Sequence, residues 1–212
     1  SNQTPVYFAL TVTKDLRSFI IKGGGVLVDY RDYKASRNLA WEILLREDVR
    51  KLPVRPSALC RSMGISLAYG NQEQGSDGYS ALISGAMYIV IKRDKPASRI
   101  RFTIAHEIGH ILLGHLGTCH LVNREPSGTD TPVEHEANVF ASRLLAPACV
   151  LWGCGAQSAE EIAELCGISQ QSARIRAERM AVLRKRNQFL VSPLERELYE
   201  KFLPFIREHR IR

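Results

Sequence analysis

Two histidines four residues apart, with a glutamate directly after the first, constrain this chain more than any other feature: His106-Glu107-Ile108-Gly109-His110. A helix turns once in about 3.6 residues, so this spacing sets both imidazoles on one face with a carboxylate beside them. That is a geometry for zinc. The flanks agree with it. Ile100, Phe102, Thr103 and Ile104 precede the motif, and Ile108, Ile111, Leu112 and Leu113 surround and follow it. The helix is therefore apolar almost all round and belongs in a core. Unpaired polar groups in such an interior cost about 2–7 kcal/mol each, and a metal gives both histidines a partner. The competing expectation is a core helix whose histidines are merely hydrogen-bonded.

Two imidazoles leave zinc's coordination unfinished, so a third ligand is expected further along. The best candidate is Glu134, at the head of a segment running to Leu145 in which Ala137, Phe140, Ala141, Leu144 and Leu145 recur at three and four, and which Pro147 closes. Glu136 competes with it, but two positions along a helix differ by about 200° of rotation, so only one of the pair faces the metal. Glu134 lies on the row of Ala137, Ala141 and Leu144, which favours it. A third histidine is a poorer solution. The metzincin pattern needs a glycine and a histidine where this chain has Leu113 and Leu116. His115, five residues past His110, is turned off the ligand face, and Gly114 already ends the helix. His115 is thus expected beside the ligands or on the surface. A carboxylate from a separate helix is the thermolysin-like alternative.

The stretches Arg101-Phe102-Thr103-Ile104-Ala105-His106-Glu107-Ile108-Gly109-His110-Ile111-Leu112-Leu113-Gly114-His115 and Glu134-His135-Glu136-Ala137-Asn138-Val139-Phe140-Ala141-Ser142-Arg143-Leu144-Leu145-Ala146-Pro147 resemble the ImmA/IrrE zinc metallopeptidases. The likeness extends to Leu52-Pro53-Val54, Gly64-Ile65 and Gly167-Ile168-Ser169, and so covers residues 36 to about 190. It implies His106, His110 and Glu134 as ligands of one zinc ion per chain, Glu107 as general base, and Asn138 beside the ligand helix. It also implies an intracellular enzyme of bacteria and mobile elements whose substrate is a protein, a repressor or antitoxin-like regulator.

The rest of the chain predicts an α+β fold, with a small antiparallel or mixed sheet packed on a buried zinc-binding helix. A helical C-terminal segment of helix-turn-helix character follows. Residues 1–33 form an arm of uncertain role, with short strand-like runs at Val6–Val12, Phe19–Ile21 and Val26–Tyr30. Residues 34–156 form the peptidase core. Residues 157–212 form the helical segment, packed on that core. Within the core a helix is expected over Lys34–Arg50 and another through Leu59 and Cys60, ending near Gly64. Strands are expected over Ile65–Tyr69, Tyr79–Ser84 and Ala86–Lys92, with a polar loop at Asn71–Gly78. Tyr88 is a candidate for pairing an extended substrate to an exposed sheet edge. In the last segment Ser158-Ala159-Glu160-Glu161 is a capping box, Gly167 closes a short helix, Ser169 caps the next, and Ser192-Pro193-Leu194-Glu195 opens a final one.

Charge and cysteine content set bounds. The chain has 212 residues, net charge +7 and pI near 9.3, which supports weak attraction to nucleic acid more than specific reading by Gln170, Gln171 and Arg174. Five cysteines without a CxxC spacing suggest reduced thiols and a cytoplasmic location, and extra metal binding by Cys119 with His115 and His120 would be coincidence at a loop. No apolar run approaches the roughly twenty residues of a membrane span, Val6–Leu10 is too short for a signal peptide, and Ser1-Asn2 reads as a tag remnant.

The chemistry these residues permit is metal-assisted peptide hydrolysis, with Glu107 taking the proton of the attacking water. Tyr88, Arg101 and Arg143 are candidates for stabilising the oxyanion. Rival readings are a DNA-binding regulator with an inert peptidase half, a zinc-holding sensor, and a non-haem iron oxygenase. The last would leave Glu107 without a role.

Overall fold

The structure is a computed structural model that describes residues 30–70, 77–116 and 131–211. The expected strands of the N-terminal arm up to residue 29, most of the Asn71–Gly78 loop, Cys119 and His120 lie outside the described residues.

The first described helix, α1 (Tyr30–Arg46), begins inside the stretch expected to be an arm, and it buries Ala40, Trp41, Ile43 and Leu44. Helix α2 (Pro56–Ser62) starts on a proline, whose missing N–H costs nothing in a first turn, and buries Leu59 and Cys60. Gly64, at φ +69°, then reverses the chain into strand β1 (Ser66–Tyr69).

Strands β2 (Gly78–Ile83) and β3 (Ala86–Ile91) are joined by Ser84 and Gly85, both at positive φ. This two-residue turn matches the twist of the strands it connects. The sheet order is β1-β3-β2, with β1 parallel and β2 antiparallel to β3, so the sheet is mixed. Its centre corrects one expectation. Tyr88 lies on the middle strand, opposite Ser66 on one side and Ala81 on the other. Its backbone has no open edge to offer a peptide; among the described residues the edges are β1 and β2.

Helix α3 (Ala97–Leu112) carries the two histidines and packs on β2, β3 and helix α4 (Pro132–Leu145). Two glycines let these elements approach closely. A Cβ on Gly78 would stand 2.6 Å from the Thr103 methyl, and one on Gly109 would stand 3.0 Å from the Phe140 ring. Thr131 caps α4 by accepting from the Glu134 N–H, with Pro132 behind it. A short helix, α5 (Ala148–Cys154), follows; sequence periodicity gave no sign of it, because its residues are apolar throughout and five of the seven are buried.

The capping box at Ser158 and the left-handed Gly167 delimit α6 (Ala159–Cys166), and Ser169 caps α7 (Gln170–Lys185). The final helix expected after Ser192 divides at Phe202 into α8 (Pro193–Lys201) and α9 (Leu203–Glu208). One core includes Ile43, Leu44, Ile89, Ile108, Phe140, Leu144, Leu151, Ile162, Met180 and Phe202, and so runs through both the central and the C-terminal elements. Among the described residues one stretch, Pro132–Cys154, is long and apolar enough to cross a membrane. It is 72% buried inside the protein, where its apolar surface is spent on the core.

Candidate metal centre

On α3 the four-residue spacing stacks His106 and His110, and their Nε2 atoms stand 2.9 Å apart. Glu134, in the first turn of α4, reaches both: Oε2 lies 3.2 Å from His106 Nε2 and Oε1 lies 3.5 Å from His110 Nε2. Tetrahedral zinc with bonds near 2.0–2.1 Å would separate its ligand atoms by roughly 3.3 Å. The three separations bracket that value, so the donor set fits one such ion. Gly109, between the histidines, makes the geometry possible, since any side chain there would push α4 and its Glu134 away through Phe140.

The outer nitrogens explain why the inner ones can bind a cation. His106 Nδ1 lies 3.0 Å from Asn138 Oδ1. An amide oxygen only accepts, so Nδ1 carries the proton and Nε2 the lone pair. On the other side His115 Nε2 donates to Glu136 Oε2 at 3.1 Å, and a neutral His115 then accepts at Nδ1 from His110 Nδ1 at 2.9 Å. His110 Nε2 is then unprotonated too. Two nitrogen lone pairs and a carboxylate are thereby brought together, a donor set that suits a divalent cation. Asn138, His115 and Glu136 thus orient the imidazoles from behind. The side chains of Glu134 and Glu136 go to different partners, as their rotation about the helix requires.

Glu107 is 1% exposed, and Ser80 Oγ on β2 donates to its Oε2 at 2.7 Å. The carboxylate lies on the ligand helix without belonging to the cluster of potential ligands, His106, His110 and Glu134. Ser80 was invisible to sequence reasoning: it is 27 residues from its partner, and the one signal was a polar residue at an inward-facing position of β2.

Two of the candidates for holding an oxyanion are engaged elsewhere. Arg101 Nη2 donates to the carbonyls of Val54 and Cys166 at 2.8 and 3.1 Å. Arg143 donates to the Tyr33 hydroxyl and to Ser142. Tyr88, as described, sits on the central strand. The described cysteines are buried free thiols. Burial pushes Cys60 and Cys166 up to about 12 and Cys154 to about 11, so they stay protonated and are poor metal ligands.

A comparison with curated proteins finds no match. Among protein families, Peptidase_M78, described as the IrrE N-terminal-like domain, matches residues 60–178, more than half of the chain and the whole of the centre described above.

Proposed function

The chain belongs to the IrrE N-terminal-like peptidase family, and on that premise we propose that it is a zinc-dependent endopeptidase that cleaves a regulatory protein, a transcriptional repressor or antitoxin. The observation that carries this reading is the convergence of His106 Nε2, His110 Nε2 and the Glu134 carboxylate at the spacing of a tetrahedral site. These three residues would hold the ion. Zinc bound there supplies an activated water and a Lewis acid for the scissile carbonyl.

The residues around it have separable tasks. Glu107 accepts the proton of the attacking water and passes it to the leaving amine, while Ser80 fixes one oxygen of that carboxylate. Asn138 and the His115–Glu136 pair hold the imidazole planes. The substrate chain lies along β2 and not along the strand of Tyr88. β2 is the sheet edge that carries Ser80, and its Leu82 and Ile83 are more than half exposed. An extended peptide pairing with that edge would pass beside Glu107. Buried, protonated thiols suit a reducing cytoplasm.

Metal analysis of the purified chain, joined to digestion of the repressor encoded beside it, tests the proposal. About one zinc per chain and metal-dependent cleavage of that repressor are expected. A full complement of zinc without cleavage would favour a sensor. A second reading has one observation behind it: Gln170, Gln171 and Arg174 are exposed at the start of α7, where a recognition helix would read DNA. A shift of a specific duplex that survives chelation would favour that regulator role.

A further inference from the structure

Three guanidinium groups gather around Tyr33 of α1, away from the metal ligands. Arg143 of α4 donates to the Tyr33 hydroxyl through Nε and Nη2 at 3.2 and 2.5 Å. The guanidinium carbons of Arg143 and of Arg179, on α7, lie 5.3 and 5.7 Å from the centre of the Tyr33 ring. Arg176, one turn before Arg179, adds its charge to both Tyr33 and Arg143. Burial tends to raise the Tyr33 hydroxyl's pKa, but the arginines, Arg143 foremost, outweigh it and leave the pKa lowered.

Among the described residues no carboxylate lies in ion-pair contact with this cluster. Arg176 is 2% exposed, and its Nε and Nη2 have no hydrogen-bond partner; the buried Nε of Arg179 has none either. The acid that reaches Arg176 through space is Glu195, which accepts from the Val191 N–H and is itself buried. Burial, with Arg143 adding to it, pulls Arg176 down to about 9, so it keeps its charge at neutral pH. A buried charge with unused donors is costly unless an anion accepts from it.

We propose that Arg176 and Arg179, with the Tyr33 hydroxyl that Arg143 holds beside them, form a binding site between α1, α4 and α7 for a phosphate group, carried by inorganic phosphate or by a small phosphomonoester. A phosphate dianion has the charge to offset an excess of guanidinium and enough oxygens to accept from donors on different helices at once. A carboxylate brings half that charge and fewer acceptors. Arg143, Arg179 and Tyr33 are each partly exposed, which gives the outer side of the cluster, above the buried Arg176, an approach from solvent. The site is independent of peptidase chemistry.

Isothermal titration and thermal unfolding of the full chain with inorganic phosphate, against chloride at equal ionic strength, provide the test. A saturable phosphate-specific rise in Tm is expected. Arg176→Met and Arg179→Gln should each weaken binding at least tenfold, and Arg176→Met, relieved of an uncompensated charge, should unfold no lower than the native chain in chloride. If Arg176→Met does not fold, the loss of binding in Arg179→Gln carries the test. Adenosine monophosphate as a second probe separates the sources: tenfold tighter binding than inorganic phosphate assigns the site to an ester, and equal or weaker binding assigns it to the free ion. Equal responses to phosphate and chloride, or binding unchanged in the variants, would overturn the proposal.

Discussion

At the scale of single residues, binding and chemistry come apart, because Glu107 lies outside the ligand triangle. Glu107→Gln is expected to keep its zinc and to lose cleavage by about 10²–10⁴-fold, the usual contribution of a positioned base. Metal analysis beside an activity assay decides it, and normal cleavage by this variant would remove Glu107 from the mechanism. His106→Ala and Glu134→Ala should instead lose stoichiometric metal; unchanged zinc in both would refute the ligand assignment. The candidate ligands were legible in the sequence because they are local: a four-residue spacing fixes two of them, and the rotation of α4 favours Glu134 over Glu136. Ser80 and the His110–His115–Glu136 chain were not, since they depend on how β2 and α4 meet α3 in space.

Elements were legible where a cap or a period announced them. Ser158, Gly167 and Ser169 delimit α6 and α7 as their side chains and conformations dictate. Sheet order was harder, because the hairpin of β2 and β3 is a local event, whereas the parallel pairing of β1 with β3 joins residues as far apart in sequence as Ser66 and Tyr88. That pairing moves the open edge away from Tyr88. Two predictions belong to this scale. Leu82→Lys and Ile83→Lys, exposed on β2, should change unfolding by no more than about 0.5 kcal/mol, yet raise KM for the protein substrate. An unchanged KM would detach β2 from substrate binding. Gly167→Ala should destabilise by about 1–3 kcal/mol in denaturant unfolding, because φ is +60° there and an added Cβ would fall on the Arg101 guanidinium. A wild-type midpoint would show that the turn relaxes freely.

Across the whole molecule the charge is +7, and among the described residues a helix-dominated core surrounds one candidate metal cluster. The surface the described residues would offer a substrate is the β2 edge, which suits cleavage at one or a few extended sites. The expected outcome is metal-dependent cutting of a neighbouring regulator, with casein left intact; similar rates on both would refute selectivity. Arg101 bears on the C-terminal helices as well. It rises from the ligand helix and binds the carbonyls of Val54 and Cys166, the latter closing α6. Removing residues 157–212 would leave that guanidinium the Val54 carbonyl alone and uncover α1 and α5, which pack on α8. The chain should therefore melt in one calorimetric transition, and the shortened form should not fold by itself. Proteolysis or gene fusion that detaches the helix-turn-helix-like segment would then switch the enzyme off instead of setting free a DNA-binding fragment.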